Sequence, residues 1–358
     1  MIVVNCRHLT QATTGVQRFA SEIIGELATL RDDLVFVAPT KHRSIPGLDI
    51  VPVGRLRGHL WEQLELPRYL MRRDSPLLLN LMSTSPIAYR NSVMTHHDIT
   101  YVRHPESFSR KFRLLYGAIV PPALKRSRRV ITVSEFSRQE MSQHFGISPA
   151  KISVVHNAVN RAFTPGTGVR GGRPFILAVS SPNQHKNFGR LIEAFMLSGL
   201  QEGFDLKVVG KQNGSFSRSN LHADGHPSVT FLGRVDDNRL IDLYRRASVF
   251  AFPSIYEGFG IPVLEAQACG TAVAASQTAS LPEVLRDSAE FFDPLSVVDM
   301  ARVLRKVATD SDLNDRLVRL GEVNVRRFSW KSSAEAVSDI LDLAERDRRS
   351  NGKRTKTA

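Results

Sequence analysis

From Phe252 to Ser276 the chain reads FPSIYEGFGIPVLEAQACGTAVAAS, and the reading of this stretch decides the fold. An apolar strand, Val249–Pro253, runs into a loop that holds Glu257, Gly258 and Gly260. Pro262 suits a first helical turn, where its missing N–H would have had no partner. A helix is therefore expected up to Cys269, followed by a second strand over Ala272–Ala275. Strand, loop, helix, strand is the repeating unit of a parallel sheet. The loop is also suited to an anion. Glycines admit close approach to the backbone, and the first N–H groups of a helix sit unpaired at the positive end of its dipole. A diphosphate fits such a place. Glu257 lies just before it, and Glu265 follows within the helix, so each carboxylate can accept from hydroxyls on one side of the phosphates. A sugar nucleotide has that order: sugar, diphosphate, ribose.

The same alternation extends outward. Ile2–Asn5, Leu34–Ala38, Leu77–Leu81, Ser92–His96, Arg129–Val133 and Lys151–His156 read as strands. Gln17–Leu30, Trp61–Met71, Phe112–Lys125 and Ser134–Phe145 read as helices, the last capped by Ser134. Thr164–Arg173 (TPGTGVRGGR) has no apolar periodicity and reads as a linker. Beyond it, strands at Phe175–Val179, Leu206–Val209, Val229–Leu232 and Phe291–Phe292 accompany helices at Phe188–Leu197, Asp236–Arg246 and a largely helical run from Val297 to Leu343. The expectation is an α/β chain of two Rossmann-like domains, residues 1–165 and 166–345, with a disordered basic tail at 346–358. Their parallel sheets would face a cleft, with ligands at the carboxyl ends of the strands.

Composition narrows the class. The 358 residues are 42% hydrophobic and 23% charged, which excludes a disordered chain. No stretch approaches the ~18–20 apolar residues that cross a bilayer, and MIVVNCRHLT lacks the basic leader and cleavage site of a secretory signal. Cys6 and Cys269 are too few for a disulfide framework or a cysteine-ligated zinc site, which points to a reducing cytoplasm. The net charge of +13 is uneven: residues 1–168 carry +10, residues 169–345 carry −2, and the tail carries +5. Such a field attracts anions, whether phosphorylated substrates, lipid head groups or nucleic acid. Nucleic acid is disfavoured because no aromatic residues interleave the basic ones.

At this point the chain resembles the retaining, nucleotide-sugar-dependent glycosyltransferases of family 4, which have the GT-B fold. Phe252–Ser276 is similar to that family's stretch around its paired glutamates, and the likeness continues through SLPEVLRDSAEFFDP and TFLGRVDDNRLIDLYRRASVF. TGVQRFASEIIGEL, THHDITYVRHPESF, ITVSEFSRQEM and ISVVHNAVN carry it through the first half. The resemblance implies that Glu257 binds donor-sugar hydroxyls, Glu265 the ribose, and the backbone of Phe259, Gly260 and Ile261 the β-phosphate. Lys186 would neutralise the leaving diphosphate, with Gly15 and Val16 approaching it from the first domain. His97, beside Asp98, would lie near the reacting sugar and the acceptor, with Asn157 and Ser134 as lesser candidates. Many relatives place an arginine adjacent to the lysine or about six residues before it; here His185 and Ser180 stand there, so Asn183, His185 or Arg234 would assist.

His96-His97 could suggest a metal, but adjacent strand residues point to opposite faces, and no carboxylate completes a set. Asp310-Ser-Asp312 imitates a metal-binding Asp-x-Asp, yet its place between helical segments makes it a cap. The absence of G-x-G-x-x-G after the first strand argues against a nicotinamide enzyme. Arg68–Arg73, Arg110–Arg113 and Lys125–Arg129 are either solvated faces or a peripheral contact with an anionic membrane. The resulting expectation is a cytoplasmic, metal- and cofactor-independent hexosyltransferase of bacterial cell-surface polysaccharide synthesis. Its donor would be GDP-mannose and its acceptor a glycan or polyprenyl-diphosphate-linked oligosaccharide. A sugar-nucleotide epimerase of the same fold and a catalytically silent binding module are the alternatives.

Overall fold

The computed structural model describes residues 1–166, 171–179, 183–210 and 226–354, with side chains to 348. Ser180, the centre of the expected linker and the last residues of the tail therefore lie outside the described residues. The chain forms two compact units: residues 1–102, 108–157 and 329–358 make one, and residues 103–107 and 158–328 the other.

The first unit is built on seven parallel strands: β1 (Ile2–Asn5), β2 (Leu34–Ala38), β3 (Ile50–Pro52), β4 (Leu77–Asn80), β5 (Ser92–Thr95), β6 (Arg129–Thr132) and β7 (Ile152–Val154). Their spatial order is β3-β2-β1-β4-β5-β6-β7, with Val3 facing Val35 on one side and Leu78 on the other. The second unit holds β8 (Phe175–Val179), β9 (Asp205–Val209), β10 (Val229–Gly233), β11 (Val249–Phe252), β12 (Ala272–Ser276) and β13 (Glu290–Phe292), in the order β10-β9-β8-β11-β12-β13. The central strands are largely apolar because helices cover both faces: every residue of β1, β4, β11 and β12 is buried. In the second unit, Ile176, Phe195, Leu206, Val249 and Leu304 belong to one core cluster beneath the helices.

Both sheets are doubly wound. Chain order reverses between β1 and β4 in the first and between β8 and β11 in the second. At such a point the loops leaving two neighbouring strands diverge to opposite faces and open a crevice at their carboxyl ends. The loops after β8 and β11 are the two that carry Lys186 and Glu257.

The structure departs from the sequence reading in three places. β3 was not expected; Pro52 ends it, tolerable because β3 is an edge strand. The division between units falls at Asn157/Ala158 rather than 165/166, and the helix Trp330–Arg354 belongs to the first unit, not the second. The same helix runs through Arg346–Arg354, where a disordered tail was expected. Ala334, Val337, Leu341 and Ala344 form its buried face, and Arg31, the residue that ends the helix Gly15–Leu30, reaches Asp342 at 2.7 Å. A periodic apolar face shows that a helix is amphipathic but not which core it covers.

Candidate active site

In the second unit, β11 ends at Phe252 and the loop 253–260 follows. Gly260 caps the eight-residue helix Ile261–Ala268 with a φ of +96°, a conformation that costs a residue with a Cβ. A Cβ there would also lie 2.8 Å from Leu281 Cδ2. Pro262 occupies the first turn as the sequence suggests. The loop is fastened along its length. Ile255 N donates to His185 O at 2.8 Å, Ser280 Oγ to Glu257 O at 3.0 Å, and Asn187 Nδ2 to Pro253 O at 3.1 Å.

The loop after β8 forms a 3-10 turn, Gln184–Lys186, with Asn183 at its start and Lys186 N donating to Asn183 O. Asn187 then takes a left-handed φ of 62° and begins the helix Phe188–Leu197. Its side-chain amide bridges Pro253 O and Pro294 O, tying the loops after β8, β11 and β13 together. This arrangement brings Lys186 Nζ to 2.6 Å from Glu257 Oε1, with the side chains only 15% and 12% exposed. A cation and an anion are thus held together, partly shielded from water, at the switch point of the sheet. Shielding matters because charges act more strongly on each other where water is excluded.

Glu265 lies deeper. It is 6% exposed and accepts from Tyr244 Oη at 3.1 Å. Phe259 is buried against Phe328, ring edge to face at 5.5 Å. His185 is buried too, with Nδ1 at 2.9 Å from Ser107 Oγ. Its Nδ1 is thus turned to the segment that holds Ser107. Arg234 is exposed and leaves the carboxyl end of β10, an edge strand separated from β8 by β9.

In the first unit, Gly15 and Val16 open a sixteen-residue helix two positions earlier than expected. Thr14 N donates to Gln17 Oε1 at 3.1 Å, half of a capping box. His97 follows β5 and is buried, its ring 5.0 Å from Phe19 and its Nε2 at 3.3 Å from Leu81 O. A carbonyl only accepts, so the proton is on Nε2. Burial pushes the pKa of His97 down to about 4 and keeps the ring neutral. Asp98 accepts from Thr100 N and Oγ1 at 2.8 and 2.5 Å. His96 turns elsewhere, to Ser83 O at 3.0 Å, and among the described residues no three metal-ligating side chains converge. Ser134 caps its helix by accepting from Ser137 N, and Asp310 caps another by accepting from Leu313 N, both at 3.0 Å. Asn157 is buried at the end of the unit.

Sequence reasoning missed several members. Asn187 had a legible signal, since asparagine is one of the few residues that take the left-handed region and also favours helix starts. Tyr244 and Ser280 had none, because only the fold brings them to Glu265 and Glu257. A buried ion pair at the carboxyl ends of β1 and β4 was also missed: Arg7 Nε lies 3.2 Å from Glu62 Oε1, Asn5 donates to Asn80 at 2.8 Å, and Thr84 Oγ1 donates to Glu62 at 2.6 Å. Burial opposes the charge on Glu62, but Arg7, His59 and Thr84 outweigh it and hold the carboxyl at about 2.

Comparison with known proteins places these loops in a family. Residues 13–163 match the model of glycosyltransferase family 4, and residues 160–323 match that of the glycosyl transferases group 1. The O-antigen chain mannosyltransferase RfbU of Salmonella typhimurium is 26% identical over 360 residues, covering 95% of this chain and 99% of that protein. Among solved structures, a sucrose-phosphate synthase from Thermosynechococcus elongatus superposes with a TM-score of 0.75 at 16% identity, covering 96% of this chain and 98% of that one. Anabaena Alr3699/HepE, solved in complex with UDP and glucose, superposes at 0.73 with 17% identity over 95% and 99% of the two chains. At such identities the structures establish the fold.

Proposed function

The chain is a glycosyltransferase of family 4 with the GT-B fold, and from that premise we propose that it transfers a mannosyl group from GDP-mannose to a glycan or polyprenyl-diphosphate-linked oligosaccharide of a bacterial surface polysaccharide. The mannosyltransferase name of the full-length relative supports this choice of sugar. One observation carries the site: the Lys186–Glu257 pair at 2.6 Å, beside the helix that starts at Gly260 and at the switch point of the second sheet.

The diphosphate of the donor takes the helix N-terminus, where the N–H groups of Gly260 and Ile261 face it, and draws Lys186 from Glu257. Glu257, relieved of its counter-ion, accepts from hydroxyls of the sugar, and Glu265 accepts from the ribose. As the bond from the anomeric carbon to the phosphate oxygen breaks, charge grows on the diphosphate. Lys186 and the helix end stabilise it without reorganising. The acceptor oxygen bonds to the anomeric carbon on the face the diphosphate leaves, and the departing diphosphate takes the acceptor's proton, so configuration is retained. His97, neutral at pH 7, and Asp98 act on the acceptor. This route uses no metal. The basic segments Arg68–Arg73, Arg110–Arg113 and Lys125–Arg129 hold the enzyme peripherally at an anionic membrane; no described helix is long and apolar enough to cross one.

The test is a panel of radiolabelled nucleotide sugars offered with and without bacterial membranes, in EDTA and in Mg²⁺. Mannosyl transfer from GDP-mannose that needs membrane acceptor and survives EDTA is the expected result. Transfer from a uridine or thymidine donor alone overturns the sugar assignment, donor conversion without acceptor favours an epimerase, and loss in EDTA restored by metal rejects the metal-free route.

A further inference from the structure

The five residues Arg103–Ser107 belong to the second unit, although both flanks in sequence belong to the first. They contain a 3-10 turn, Pro105–Ser107, which packs on the turn Gln184–Lys186. Ser107 Oγ and His185 Nδ1 share a hydrogen bond of 2.9 Å. The ring of His104 lies 5.5 Å from that of His185, tilted by 34°, and 5.7 Å edge-on from that of Tyr256. His104 is itself oriented by Glu106, with Nδ1 at 3.1 Å from Oε1.

These contacts fall immediately behind the ion pair. His185 precedes Lys186, Tyr256 precedes Glu257, and both rings are buried. The two loops are also joined directly, Ile255 N donating to His185 O. A side chain that touches both rings therefore bears on the backbone positions of both charged residues at once. We propose that Ser107 and His104 are positioning residues for the donor site, with Ser107 acting through His185 to fix the turn that presents Lys186, and His104 wedged between the two loops to set the spacing of Lys186 and Glu257. Neither touches donor in this scheme. The proposal rests on the reading that the Lys186–Glu257 pair binds the donor.

The experiment compares Ser107→Ala, Ser107→Thr, His104→Ala and Glu257→Ala in the full chain, measuring donor KM, acceptor KM, the Kd of the nucleoside diphosphate and Tm. Loss of one hydrogen bond of this kind corresponds to roughly a two- to tenfold change. Ser107→Ala and His104→Ala are expected to raise donor KM and nucleoside diphosphate Kd within that range, leaving acceptor KM and Tm unchanged, and Ser107→Thr to restore both donor constants. Donor constants unmoved in Ser107→Ala while Glu257→Ala abolishes transfer would overturn the positioning role alone. A fall in Tm with donor and acceptor constants changed together, or no rescue by threonine, would also overturn it in favour of a merely structural contact. If Glu257→Ala itself left transfer intact, the donor-site reading would be the one to fail.

Discussion

Glu257 and Lys186 form an ion pair at 2.6 Å, and that makes their substitutions unequal. In Lys186→Ala the carboxylate of Glu257 stays, partly shielded and without its cation, facing the place proposed for the diphosphate. Affinity for both donor and nucleoside diphosphate is expected to fall about ten- to a hundredfold by calorimetry. In Glu257→Ala the ammonium is released instead. Nucleoside diphosphate affinity is expected to hold or rise while transfer falls at least about a hundredfold, as when a transition-state partner is removed. Equal losses of affinity in the two variants would show that the pair is only a structural salt bridge. Both residues were legible in the sequence, Glu257 from the glycine loop and Lys186 from family likeness. Their contact with each other was not, since they are 71 positions apart. The partner of His185 was likewise not legible: family likeness raised it as a neighbour of Lys186, and only tertiary packing shows its Nδ1 turned to Ser107, 78 positions away.

Among the elements, the helix Ile261–Ala268 is the one on which the proposed donor site depends. Its apolar residues make it core-forming, and its start is set by Gly260 at a φ of +96°. Gly260→Ala is expected to cost about 1–2 kcal/mol for the left-handed backbone. Leu281 must also give way to the new methyl, 2.8 Å from its Cδ2. Donor KM should rise about tenfold, with far-ultraviolet circular dichroism unchanged. A donor KM at the wild-type value would mean that the opening of this helix does not meet the phosphates. The element was readable beforehand because Gly-x-Pro is local chemistry: glycine supplies the turn and proline the first helical residue. The edge strand Ile50–Pro52 was not, because three residues with a terminal proline carry too little pattern to register.

At the scale of the molecule, the helix Trp330–Arg354 leaves the unit that precedes it in sequence and completes the other. Trp330, Val337 and Leu341 bury large apolar side chains there, each worth about 1.5–3 kcal/mol. Their sum is comparable with the whole stability of a domain, about 5–15 kcal/mol. A chain ending at Phe328 should therefore lose the first unit, with limited proteolysis cutting within residues 1–157 while 158–328 stays protected; uniform protection would contradict the assignment. Acid should act on the same unit. Burial holds His97 at about 4, and burial together with Arg43 and Arg7 does the same for His8, against about 6.5 when unfolded. Between those values the unfolded chain binds protons that the folded chain refuses. The stability these rings contribute is thus complete above pH 6.5 and declines as pH falls toward 4. Glu62, held at about 2, begins to add its loss only below its unfolded value of about 4.5. Tm should drop progressively from pH 7 to 4.5, and less so in His8→Gln; a level Tm through pH 5 would contradict buried neutral histidines.

Sequence alone settled the alternation of strands and helices, the two-module plan, the glycine turn that opens the helix Ile261–Ala268 and the family. All of these are written in periods of two to about four residues or in contiguous motifs, within the reach of local backbone preference. Tertiary structure alone decided that Lys186 meets Glu257, that Tyr244 reaches Glu265, that residues 103–107 join the second unit and that the last helix joins the first. Those pairings follow from strand order and from which apolar face finds which core. Burial is blind to distance along the chain, so no local pattern encodes them.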